Sequence, residues 1–106
     1  MKIFFKKSNL LKESELYRYP ITIRVDEFTP KGAKDFAAKM EAAHNTGQPV
    51  IPIVVDSYGG QVYSLMAMIA QIQNAEKPVA TIIEGKAMSC GAILSTFGEK
   101  GMRYMD

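Results

Sequence analysis

The chain has 106 residues and a mass of 11.7 kDa, is 47% apolar and 23% charged, and so reads as one small globular domain, which argues against disorder and against multidomain architecture. Thirteen Lys and Arg against 11 Asp and Glu leave a charge of only +2, too balanced to imply nucleic acid or a membrane surface as a partner. Cys90 is the single cysteine and His44 the single histidine, so an internal disulfide and a zinc site of the usual ligand count are both excluded, and the chain reads as cytoplasmic, metal-free and without a cofactor.

Residues 1–16 carry Lys2, Lys6, Lys7 and Lys12 before Glu13 and Glu15, and read as a solvated N-terminal arm, with Ile3-Phe4-Phe5 able to add an edge strand. Met1 to Phe5 meets Lys6-Lys7 at once, too early for a signal-peptide core. The core is expected over residues 17–106. Tyr19 to Val25 alternates as a half-buried strand through Ile21, Ile23 and Val25. Thr29-Pro30 then supplies an N-cap and a proline at the first helical position, where its missing N–H costs nothing. Ala33, Phe36, Ala37, Met40 and Ala43 recur at helical spacing, and Asn45-Thr46-Gly47 ends the helix with residues that tolerate the left-handed region.

Val50 to Val55 is a nearly continuous β-branched run, as expected of a strand covered on both faces. The turn Asp56-Ser57-Tyr58-Gly59-Gly60 follows, and Val62, Leu65, Met66, Ile69 and Ile72 mark a second amphipathic helix ending before Lys77-Pro78. Val79 to Ile83 is the next buried strand, Gly85 to Gly91 a second glycine-flanked turn, Ala92 to Phe97 a short apolar helix, and Met102 to Asp106 the start of another strand. The apolar stretches, such as Val50 to Val55 and Leu65 to Ile72, fall short of the about 18 residues a membrane span needs. Strands alternating with helices imply right-handed crossovers and a mainly parallel sheet.

Both glycine-bearing turns follow strands and precede helices, so both lie at the carboxyl edge of the sheet, where α/β proteins place ligands. Gly59-Gly60 can present bare amides to a developing negative charge; a tight strand-to-helix turn is the competing reading. A phosphate loop is not supported, since neither G-x-x-x-x-G-K-[ST] nor G-x-G-x-x-G occurs here. Ala87-Met88-Ser89-Cys90-Gly91 matches the nucleophile elbow G-x-S-x-G with Ala87 for the first glycine, which makes Ser89 a candidate nucleophile and the Cys90 N–H a second oxyanion donor beside that of Gly60. A serine N-cap is the alternative. Asp56 can cap the turn it begins, and Met66, Met68 and Met88 can fill the core or line a groove.

The order and spacing of the two turns, 29 residues from Gly60 to Ser89, together with Lys77-Pro78-Val79 between them, resemble the proteolytic subunits of the ATP-dependent Clp protease family. The resemblance runs from about Ser14 to Asp106 and is strongest from Ile51 to Arg103. It implies an α/β fold of the Clp/crotonase type, a superhelix of β-β-α units cut off after the nucleophile helix, and a single incomplete protease domain over residues 1–106. It also implies Ser89 as nucleophile, Gly60 and Cys90 as oxyanion hole, and Gly59, Gln61 and Val62 as the segment along which substrate lies extended as a strand. Further implications are a polypeptide substrate, homo-oligomeric heptameric rings and an AAA+ unfoldase partner.

Four positions depart from that pattern: Asp56 for asparagine, Tyr58 for the turn proline, Lys86 for glutamine and Cys90 for methionine. The family's catalytic histidine and aspartate match no residue among the 106, and His44 reads as a solvated helix-terminal residue. The chain alone is therefore expected to be inactive. Lys86, three residues before Ser89, is weighed as a base and set aside because it would need burial to lose its proton. The alternatives are a signal-peptide-peptidase-like Ser/Lys protease, a crotonase-type acyl-CoA enzyme, and a non-enzymatic binding or assembly module.

Overall fold

The computed structural model describes residues 20–105. The expected arm, the start of the first strand at Tyr19 and the final Asp106 lie outside the described residues. Within them run β1 (Ile23–Val25), α1 (Pro30–Asn45), β2 (Ile51–Ser57), α2 (Val62–Gln73), β3 (Val79–Ala87), α3 (Cys90–Ser95) and β4 (Arg103–Met105). The four strands pair in parallel in chain order, which makes the α/β fold expected of the sequence. Past the bend in β3 a second short tier of pairings, Phe28 with Gly60 and Ser57 with Ala87, continues the sheet toward the two turns.

Local chemistry explains the boundaries. Thr29 is extended and its hydroxyl accepts the Gly32 N–H at 2.9 Å, capping α1 as its Thr-Pro start implies. β1 is shorter than the alternation of residues 19–25 suggests, because Gln48 intervenes. Its buried amide accepts from the Ile21 N–H at 2.8 Å and donates to the Ile21 and Val50 carbonyls at 3.0 and 2.8 Å, so a side chain takes the place of a ladder there.

β2 alternates buried and half-buried rather than being covered on both faces. Ile51, Ile53 and Val55 join Ile23, Val25, Phe28, Phe36, Met40 and Leu94 in the core, while Pro52 and Val54 on the other face stay partly open. β3 runs on to Ala87, so the second turn is shorter than Gly85 to Gly91, and α3 begins at Cys90 rather than Ala92.

α2 is rotated from its expected face. Leu65, Met68 and Ile72 are buried, whereas Val62 and Met66 are exposed. Both sets fall at helical spacing, so periodicity alone does not separate them; packing against α1 and α3 does.

Candidate active site

The turn after β2 is built from the inside outward. Ser57, fully buried, accepts the Gly59 N–H on its hydroxyl at 3.0 Å, which closes the turn. Phe28, also fully buried, donates its N–H to the Gly59 carbonyl at 3.4 Å and accepts the Gln61 N–H at 2.8 Å. Backbone groups alternate along an extended segment, so the Gly60 N–H between these two points away from Phe28 and is not used by this bridge. Gly59 and Gly60 have φ of +115° and +153°. A Cβ at Gly60 would come within 2.5 Å of the Phe28 carbonyl oxygen, and one at Gly59 within 3.0 Å of the Ser89 Cβ and 3.2 Å of the Met88 carbonyl oxygen. Glycine is thus required at both places, and the two turns touch.

Ser89 supplies the other half. It is exposed, with φ 52° and ψ −115°, and is the only non-glycine residue with positive φ among the described residues. Its side chain makes no capping hydrogen bond to α3, so the N-cap reading does not hold. The residue occupies a sharp turn between β3 and α3, pinned by Met88 N–H to Ser57 O at 3.0 Å and Gly91 N–H to Met88 O at 2.9 Å. Such a conformation is held only where the surroundings enforce it, and it accumulates at functional sites. Cys90 is buried, its Sγ 3.5 Å from the Gly60 carbonyl oxygen as donor, while its own N–H opens the first turn of α3, where no intrahelical partner exists.

Gln61 and Val62 are exposed at the start of α2. The Gly59 carbonyl and the Gln61 N–H are already committed to Phe28, the Gly59 N–H to the Ser57 hydroxyl and the Gln61 carbonyl to the Leu65 N–H. A peptide laid along this segment therefore reaches only the Gly60 main chain and the exposed Gln61 and Val62 side chains.

The charged residues form a separate flank. Lys86 Nζ lies 2.8 Å from Asp56 Oδ1 and 4.6 Å over the Tyr58 ring, and Arg24 reaches the other Asp56 oxygen at 3.5 Å. Asp56 thus engages in ion pairs rather than capping the turn; Ser57 does the capping. The hydrogen bond and charge of Lys86 hold the Asp56 carboxyl below the usual carboxylate range, and Asp56 in turn raises Lys86 above the usual lysine range. With Nζ engaged by Asp56, Lys86 lacks the burial and the free amine that a base toward Ser89 would need.

An open cavity of about 520 Å³ lies beside this flank, lined by Asp26, Glu27, Asp56, Tyr58, Gly60 and Lys86. His44 is not merely solvated. Its Nδ1–H donates to Met40 O at 2.8 Å and its Nε2 accepts the Glu76 N–H at 3.1 Å, tying α1 to the loop before β3 at the edge of the sheet opposite Ser89. Among the described residues no group of His, Cys, Asp and Glu is arranged to hold a metal ion, and no helix is long and apolar enough to cross a membrane.

Sequence reasoning missed Phe28 and Ser57. A serine two residues before a glycine is a legible turn signal; nothing local in the sequence points Phe28 at Gly60.

A family model described as Clp protease matches residues 7–106. An ATP-dependent Clp protease proteolytic subunit 1 of Chlamydia caviae is 37% identical over 79 residues, 72% of this chain and 40% of that protein. The protein of the same description from Chlamydia abortus is 36% identical over 78 residues, with the same coverage of 72% and 40%. The chain spans about 40% of the length of the curated relatives it matches.

Proposed function

This chain belongs to the Clp protease family, and from that premise we propose that it carries the nucleophile and oxyanion hole of a serine endopeptidase acting on unfolded polypeptide. Ser89 Oγ attacks the scissile carbonyl carbon and its proton passes to a histidine; the carbonyl electron pair moves onto oxygen, where the Gly60 and Cys90 N–H groups hold the charge. Collapse expels the amine, which takes the proton back from the histidine, and water then frees the acyl group by the same route. Substrate lies extended over Gly59 to Val62, contacting the Gly60 main chain and the side chains of Gln61 and Val62.

The observation that carries this reading is the backbone of Ser89: positive φ, no capping bond, an exposed hydroxyl, and Gly59 against it. A serine placed there only to cap a helix has no use for that conformation.

The proposal extends to the assembly by family resemblance: cytoplasmic homo-oligomeric rings, heptameric as in the family pattern, fed by an AAA+ unfoldase. Within the 106 residues the one histidine, His44, is engaged at the opposite edge of the sheet, so the base must come from elsewhere. Loss of the base costs on the order of 10⁶ in kcat in serine proteases, so these 106 residues alone should hydrolyse a fluorogenic peptide at background rate. In the subunit encoded by the complete reading frame, a fluorophosphonate should label Ser89, and Ser89→Ala should abolish both label and hydrolysis. Labelling that survives Ser89→Ala, or an intact subunit that takes no label, would overturn the assignment.

A further inference from the structure

Three of the four departures from the Clp pattern, Asp56, Tyr58 and Lys86, meet in one cluster although Lys86 lies 30 residues from Asp56. We propose that Lys86 is a positioning residue that clamps the Ser57–Gly60 turn to the end of β3, replacing the stiffness that a proline at position 58 would supply. The role in catalysis rests on the serine-protease reading above; the clamp itself does not.

The geometry is built for it. Between Val55/Ile83 and Ser57/Ala87 the pairing slips, and β3 accommodates its extra residues at Gly85-Lys86. Gly85 has φ +91°, and a Cβ there would come within 3.0 Å of Asp56 Oδ1, so the bulge leaves room for the carboxylate. Lys86 then reaches back to hold Asp56 at 2.8 Å and to cover the Tyr58 ring at 4.6 Å. It thereby grips the residues on either side of Ser57, whose hydroxyl holds the Gly59 N–H.

Arg24 keeps Asp56 oriented from the β1 side, itself balanced by Glu84 at 3.2 Å and Asp26 at 3.6 Å. Proline would stiffen the turn by locking its own φ. With tyrosine in that place the backbone is free, and the ammonium supplies the constraint from outside through charge and the ring face. Since Lys86 precedes Ser89 on the same short stretch of chain, the clamp also sets where the turn stands relative to the serine.

Side-chain exposures of 36% for Lys86 and 26% for Asp56 mean that the pair adds little to global stability, so local order is the discriminating readout. Amide hydrogen exchange of the folded protein, read by NMR, should show Gly59 N–H exchanging about fivefold faster in Lys86→Gln while β2 core amides are unchanged. Lys86→Arg, which keeps a cation, should restore slow exchange, and Asp56→Asn should reproduce the effect of Lys86→Gln. In a Tyr58→Pro background, Lys86→Gln should change Gly59 exchange by less than about twofold, because the proline already constrains the turn.

Unchanged Gly59 exchange in both Lys86→Gln and Asp56→Asn overturns the clamp, as does faster exchange spread equally over the core. Should Tyr58→Pro not fold, Arg rescue and the Asn mimic still decide. Fluorophosphonate labelling of the complete subunit is run alongside. A wild type that takes no label defeats the protease reading and leaves the exchange result standing, whereas labelling with unaltered exchange in the variants defeats the clamp alone.

Discussion

At the scale of single residues, Ser89 is held in a conformation that its own chemistry disfavours. A non-glycine residue at φ 52° and ψ −115° stores strain, and glycine adopts that region freely. Ser89→Gly is therefore expected to raise unfolding free energy by about 1 kcal/mol, measured by denaturant titration, while abolishing fluorophosphonate labelling of the complete subunit. A stability loss on that substitution would mean that the serine side chain supports the turn, contrary to its lack of a capping bond. Gly59 and Gly60 are the counterpart: their φ values and contacts at 3.0 Å or less leave no room for a side chain where the loops meet.

At the scale of elements, two features separate what packs from what merely has the right spacing. On α2, Met68 is buried and Met66 is 59% exposed. Met68→Ala should cost about 3 kcal/mol through lost burial and a cavity, whereas Met66→Ala should stay within about 0.5 kcal/mol; equal costs would refute the rotation of the helix described above. Beside β1, the Gln48 amide completes the hydrogen bonding of Ile21 and Val50. Gln48→Leu conserves bulk and strands those groups, so a loss of about 2 kcal/mol is expected by thermal or chemical unfolding. The Thr29-Pro30 start of α1 was legible because capping is decided by neighbours in the chain. Gln48 was not, because its partner Ile21 lies 27 residues away.

At the scale of the whole molecule, Arg24, Asp56, Glu84 and Lys86 tie β1, β2 and β3 together beside the candidate site, with Asp26 and Tyr58 completing the surroundings. The sign of its pH dependence follows from two opposite shifts. Asp56 is lowered, chiefly by the Lys86 hydrogen bond, so its contribution is present above the ordinary carboxylate value and lost as pH falls through the lower folded value. Lys86 is raised, chiefly by the Asp56 hydrogen bond, so its contribution is present below the ordinary lysine value and lost as pH rises through the higher folded value. The difference in thermal midpoint between the wild type and Lys86→Gln, small because the pair is partly exposed, should accordingly be flat from about pH 5 to pH 9 and shrink outside that window. A difference that peaks or changes sign within the window would assign the pH dependence to another group.

The amino-acid sequence by itself determined the order of strands and helices, the capped start of α1, and the two small-residue turns at one edge of a parallel sheet. These rest on torsional preference and hydrophobic period, which a few adjacent residues carry. It also carried the resemblance that singled out Ser89. Only the tertiary structure decided which methionine of α2 is buried, that Phe28 holds the glycine turn, that Ser89 is twisted to positive φ, and that Lys86 closes on Asp56 and Tyr58. The first depends on how α2 packs against its neighbouring helices and the rest on how strands and turns distant in sequence are brought side by side, so no stretch of neighbouring residues contains the answer.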